Sequence, residues 1–217
     1  MWVKVPTAAG LTELHNNIQT GINKAREKGY NVAADNLQRW LNGTGGIKNE
    51  SLDFLKQSSI FNDKRADIRS WFETKENSKG LNLKIVAQKL KDNESTTFSE
   101  FWEASVSGES ISLNEDERDL FFAWGTSTLK GTGNFTLTRN GNEITVSGSI
   151  EYTWKDKYNW EPGCSVYIPG VGNVEDTDLK LMEYFKGARQ FKGECKWTEK
   201  VEYKYTIDDK GNLQRGN

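Results

Sequence analysis

The stretch GNFTLTRNGNEITVSGSIEY, residues 133–152, decides the fold class. Phe135 and Leu137 alternate with polar residues, and Arg139-Asn140-Gly141-Asn142 supplies the Asn-Gly pair that suits a tight hairpin turn. Ile144, Val146, Gly148, Ile150 and Tyr152 resume the alternation on the return. A period of two turns one row of side chains to a core and the other to solvent. Downstream, residues 193–206 repeat the pattern. Cys195, Trp197, Val201, Tyr203 and Tyr205 share one face, and Lys196, Thr198, Lys200, Glu202 and Lys204 share the other. The charged face also guards against pairing with other chains.

Upstream of Leu129 the period is helical. Leu11, Leu14, Ile18 and Ile22 fall on one stripe, and Gly29 follows Lys24, Arg26 and Lys28 as a stop signal. Ala33, Leu37, Trp40 and Leu41 mark a second helix over 32–41, ended by Asn42-Gly43-Thr44-Gly45-Gly46. Shorter helices are expected over 52–58, 64–74 and 83–90. Thr97-Phe98-Ser99-Glu100 and Asn114-Glu115-Asp116-Glu117 have the spacing of capping boxes, which predicts helix starts there. A late helix is expected at about 178–186, capped by Asp176 or Thr177, and the tail from Asp208 should be a turn with a frayed end. The expected class is α+β: a helical region over 1–127 packed with an antiparallel β region over 128–217, which carries a loop at 154–176 and the one late helix. The two regions are expected to form one compact unit.

Composition narrows the function classes. The chain has 217 residues, 12% aromatic and 28% charged, with eight Trp, which suits a globular domain with a core of its own. Net charge is −2, with 16 basic and 18 acidic residues before Leu129 and 13 of each from there on. Neither part is a basic face, so nucleic acid is disfavoured as a partner. No apolar run is long enough for a transmembrane segment, and the start Met-Trp-Val-Lys-Val-Pro lacks the apolar core of a signal peptide. Synthesis in a cytosol is expected, and the abrupt start also suits a domain excised from a longer polypeptide. Cys164 and Cys195 leave a disulfide and two reduced thiols equally open, and without a neighbouring histidine they do not make a zinc site.

Chemistry is sought in residues 154–191, where loop punctuation, aromatics and acids are mixed without a regular period. His15 is the single histidine, on an amphipathic helix, so histidine-based triads and multi-histidine metal sites are disfavoured. Gly43-Thr44-Gly45-Gly46 lacks the spacing of a phosphate-cradling loop. Carboxylates and tyrosines remain. Asp156, Tyr158, Glu161, Asp176 and Asp178 are the catalytic candidates, and Trp154, Trp160 and Arg189 the binding candidates. A carboxylate beside indole rings has its pKa raised by desolvation, as a general acid requires, and two acids with a Trp platform would suit a sugar-cleaving site. Asp176 and Asp178 are equally what a helix start uses to meet free backbone N–H groups. With Glu175 their D-x-D spacing would suit a hard divalent cation, although the glycine and distant acid of a calcium loop are missing. No metal ligand set is assigned, and no other cofactor is expected.

Phe121-Phe122-Ala123-Trp124-Gly125-Thr126-Ser127-Thr128-Leu129, the hairpin from Gly133 to Arg139, Trp154 with Tyr158-Asn159-Trp160, and Ile168-Pro169-Gly170 together resemble C-terminal effector domains of bacterial polymorphic toxins. These are the variable tips of Rhs-type and type VI secretion proteins. The resemblance covers about residues 115–200 and rests on loop and strand patterns, so it transfers no catalytic residue. It implies an antibacterial or host-directed domain made in the bacterial cytoplasm without a signal peptide, delivered by a dedicated system and paired with a cognate immunity protein. The expected function is therefore a secreted effector or toxin-like domain whose functional surface is the Trp-rich stretch 154–191. If the domain is catalytic, a carboxylate-based hydrolase is preferred over histidine or cysteine chemistry. The alternatives are a non-catalytic effector that binds a membrane or protein, and a glycan-binding, virion-associated module.

Overall fold

The computed structural model describes residues 7–107, 117–161, 163–168, 171–208 and 210–216. The segment Met1–Pro6, most of the Asn114–Glu117 box, Pro162 and the Pro169-Gly170 pair lie outside the described residues. The fold is α+β. Its helices are α1 (Ala8–Glu27), α2 (Asn31–Leu41), α3 (Leu52–Leu55), α4 (Ser59–Thr74), α5 (Leu83–Lys89), α6 (Arg118–Trp124) and α7 (Asp176–Phe185). The strands are β1 (Ile47–Asn49), β2 (Ser95–Val106), β3 (Ser127–Asn140), β4 (Glu143–Tyr158), β5 (Ser165–Ile168), β6 (Gly172–Glu175), β7 (Phe191–Ile207) and β8 (Leu213–Arg215). A mixed sheet runs in the order β1-β7-β4-β3-β2 with β8 on β7, and β5 pairs with β6 in a small separate sheet.

The chain divides into two compact units, each assembled from three segments. The first comprises residues 1–51, 107–127 and 155–194, and the second 52–106, 128–154 and 195–217. This interleaving differs from a simple boundary at residue 127, because β4 and β7 each carry the chain from one unit into the other.

In the second unit β3 and β4 form the expected hairpin, turning at Asn140-Gly141-Asn142 with Gly141 at φ 60°. Helix α4 is capped at Ser58, whose hydroxyl accepts from the Phe61 amide at 3.1 Å. It lays Phe61, Ile68 and Phe72 into the core. Phe61 stacks on Trp154 at 4.6 Å between ring centroids, and Phe72 meets Phe135 edge-on at 5.2 Å. Such pairs add directional stabilisation to the area they bury.

The first unit is built on α1 and α2. Thr7 caps α1 through its Oγ1, and Leu11, Ile18, Ile22 and Ala25 face the core that α2 fills with Ala34, Leu37, Trp40 and Leu41. From β6 and α7, Val174, Leu179 and Met182 complete it.

Several sequence expectations are corrected. Thr97–Glu100 does not start a helix but lies inside β2, because Phe98, Ala104 and Val106 form a buried period-two row beneath α4, and that packing overrides the local capping signal. Trp154–Tyr158 belong to β4, which leaves a shorter loop than the expected 154–176, and residues 165–168 and 172–175 form the β5–β6 ladder. The N-cap of α7 is Glu175, not Asp176 or Thr177, and makes no side-chain capping bond. The sheet is mixed rather than antiparallel throughout, because β1 runs parallel to β7 with Ile47 opposite Lys192. The tail is not frayed: β8 pairs with β7, and Arg215 forms an ion pair with Glu73 and lies 4.0 Å from the Tyr203 ring centroid.

Candidate functional site: an aromatic cavity around Asp156

The first unit holds a partly open cavity of about 290 Å³. Its walls come from α1 and α2, from α6 and the turn that follows it, from the end of β4 and from β5.

Helix α6 is held against α2 by polar contacts that its own short length could not replace. The Asp119 carboxylate accepts from the Val32 amide at 3.2 Å and the Ala33 amide at 2.8 Å, so it serves the free N–H groups at the start of α2 from another element. Burial nevertheless pushes the Asp119 carboxyl above its ordinary range, opposed by these backbone hydrogen bonds. Buried Asn36 donates from Nδ2 to the Ala123 carbonyl at 2.9 Å and accepts from Lys48 Nζ at 2.5 Å. Trp124 lies over the start of β7 at Gly193, where a Cβ would come within 2.9 Å of the indole, so only glycine leaves room for it. Together these contacts turn Phe121 and Phe122 toward the cavity, with Phe122 5.6 Å from the Tyr30 ring.

The opposite wall is the end of β4. Asp156 and Tyr158 occupy alternate positions and so project to the same side, and Trp160 follows just beyond the strand. Tyr158 stacks on Phe191 at 4.9 Å and meets Trp160 edge-on at 5.3 Å, and Trp160 meets Trp40 edge-on at 5.4 Å. These contacts immobilise both rings. The Trp160 Nε1–H is buried and has no hydrogen-bond partner among the described residues, a departure from the usual satisfaction of buried donors.

Asp156 is the cavity's distinctive group. Desolvation among apolar and aromatic walls raises its pKa to about 7, only partly offset by a hydrogen bond from the Lys157 amide. Burial, with the nearby Asp156 charge, also drives the Tyr158 hydroxyl above its ordinary value. A carboxyl titrating at neutrality can donate a proton or a hydrogen bond, or accept one, at working pH.

The structure separates the other sequence candidates. Trp154 is fully buried against Phe61 in the second unit and forms core, not a stacking platform. Asp176 is buried, and its Oδ2 accepts from the Glu161 amide at 2.8 Å, so it ties Glu161 to the start of α7. Glu161 is exposed, accepting from Asn159 Nδ2 at 2.6 Å, and Asp178 and Glu175 are exposed as well. Asp176 thus takes the structural role, and among the described residues no group of three or more His, Cys, Asp or Glu side chains is placed to hold a metal ion. Arg189 is exposed, its amide donating to the Trp40 carbonyl at 3.0 Å and its side chain lying beside Gly43 and Gly45. Cys164 is exposed and Cys195 buried, and no disulfide joins them.

Of the candidates, the cavity gathers Asp156, Tyr158 and Trp160. Sequence reasoning missed Tyr30, Phe121, Phe122, Val166 and Tyr167, which complete the lining. One signal was available: in a seven-residue helix, Leu120, Phe121, Phe122 and Trp124 cannot all face one core, so part of this set had to face something else. Compared with protein-family models, curated proteins and solved structures, the chain matches none.

Proposed function

We propose that this chain is an effector-type, toxin-like domain that acts on a competitor or host cell through a small, largely apolar ligand or substrate group held in the Asp156 cavity. The observation that carries this reading is convergence. Three of the stretches on which the resemblance to polymorphic-toxin effector domains rests, at 121–126, 158–160 and 168, line the same cavity, although the first lies about thirty residues before the other two. In a catalytic version Asp156 is the proton-transferring group, with Tyr158 and Trp160 shaping the seat beside it. A cognate immunity protein would act by covering the mouth of this cavity.

The test is growth of bacteria expressing the chain in the cytoplasm or the periplasm, beside Asp156→Asn and the cavity-filling Val166→Trp. The expected outcome is growth arrest in one compartment, relieved by both substitutions while far-UV circular dichroism stays unchanged. Arrest that survives both substitutions would overturn the assignment of the site, and absence of arrest in either compartment would overturn the effector reading.

A second reading, a non-catalytic effector that binds a membrane or protein, draws on the exposed rings at the end of α7, where Tyr184 is 78% and Phe185 52% exposed. Co-sedimentation with anionic lipid vesicles, lost in a Tyr184→Ser/Phe185→Ser variant, would favour it.

A further inference from the structure

The lining of the Asp156 cavity has a one-sided electrostatic character. Seven aromatic residues surround it: Tyr30, Phe121, Phe122, Trp124, Tyr158, Trp160 and Tyr167. The face of an aromatic ring carries a negative quadrupole, and a ring face attracts a cation once water is excluded. The charged residues of the lining are Asp156 and Lys157 alone. Lys157 is exposed, and as the next residue of β4 it projects to the opposite face of the strand from Asp156. From α1 the cavity receives Gly21 and Ala25, from α2 Ala33, Ala34 and Leu37, and from α6 Phe121 to Trp124, none of which ionises. From β5 it receives Val166, Tyr167 and Ile168, where the phenol of Tyr167 is the one titratable group.

Asp156 makes no ion pair with any described side chain, and the polar partner identified for it is the Lys157 amide. A carboxylate in such surroundings is costly unless a counter-charge arrives. Among the described residues no cationic side chain is placed to supply one.

We propose that the cavity takes an organic ammonium ion, a cationic amine on an apolar or aromatic body, with Asp156 as its counter-ion and the surrounding rings as its cage. This inference rests on the reading of the cavity as the functional site and names the class of ligand it selects. Binding moves Asp156 fully into its ionised form, so the complex forms with proton release when the site starts protonated. The apolar remainder of the ligand lies along Ala33, Ala34, Leu37 and Val166.

Isothermal titration of the full chain with benzyltrimethylammonium, and with its uncharged isostere neopentylbenzene, tests this at pH 6 and pH 8 in wild type and Asp156→Asn. With a carboxyl titrating at about 7, the ionised fraction rises about tenfold over that interval, and affinity for the cation should rise by about the same factor. At pH 8 the Asn variant should bind the cation at least about tenfold more weakly, yet bind the isostere as wild type does, which shows that the cavity is still folded. Equal binding of cation and isostere at both pH values, or undiminished cation affinity in Asp156→Asn, would overturn the ammonium assignment and leave an apolar cavity whose role the growth assay with Val166→Trp reads independently. Binding of neither probe would overturn the assignment as well.

Discussion

At the scale of single residues, Asp156 and Asp176 show how two carboxylates of one neighbourhood divide structural and chemical roles. Asp176 accepts from the Glu161 amide, whereas Asp156 accepts from the Lys157 amide in a cavity lined mainly by rings and aliphatic groups. The raised pKa of Asp156 has a stability consequence. Between the ordinary carboxyl range and about 7, the folded chain keeps a proton that the unfolded chain has released, so stability falls as pH rises through this window. The full cost is present above it. The rise from the ordinary carboxyl range to about 7 sets a ceiling of about 4 kcal/mol, reduced by the remaining water contact of this half-buried side chain. Asp156→Asn should therefore be more stable than wild type at pH 8 and nearly indistinguishable from it at pH 4, as urea denaturation at the two pH values will measure. A wild type as stable as the variant at pH 8 would show that Asp156 is solvated. Sequence could nominate both aspartates from their indole and helix-start neighbours. Which one is tied to another segment depended on a contact 15 residues away, which spacing does not encode.

At the scale of elements, the legible parts were those whose period is set by their own residues. Helices α1 and α2, the β3–β4 hairpin and β7 follow from apolar spacing together with Gly29, Asn140-Gly141 and the charged solvent row. Strand β2 was misread as a helix, because a capping pattern is local while the partners that make it a strand, β3 and α4, are not. The hairpin contains one position where close backbone approach decides the residue. At Gly148 a Cβ would stand 2.1 Å from the Asn134 carbonyl oxygen and 2.9 Å from the Phe135 Cα, and backbone cannot swing aside as a side-chain tip does. Gly148→Ala should therefore destabilise the chain by at least about 2 kcal/mol, visible as a lowered denaturation midpoint. A neutral effect would mean that β3 and β4 separate at that point without cost.

At the scale of the whole molecule, each unit is drawn from three separated segments, and this makes a division of the chain in two unworkable. Residues 1–127 lack the 155–194 segment that closes the first unit, and residues 128–217 lack α4 and β2 from the second. Expressed alone, neither fragment should show dispersed amide resonances or a cooperative melt. A cooperative transition in either would show that one of these segments is dispensable. By itself the sequence determined the α+β class, the order of most elements, and the small set of acids and rings among which a site must lie, because these follow from periodicity, capping and composition, all properties of neighbouring residues. Only the tertiary structure decided that Trp154 is core, that Asp176 is a tether, and that Tyr30, Phe121, Phe122 and Tyr167 join Asp156, Tyr158 and Trp160 around one cavity. Desolvation, ring stacking and the pairing of buried donors depend on which distant segments meet, and no local pattern specifies that meeting.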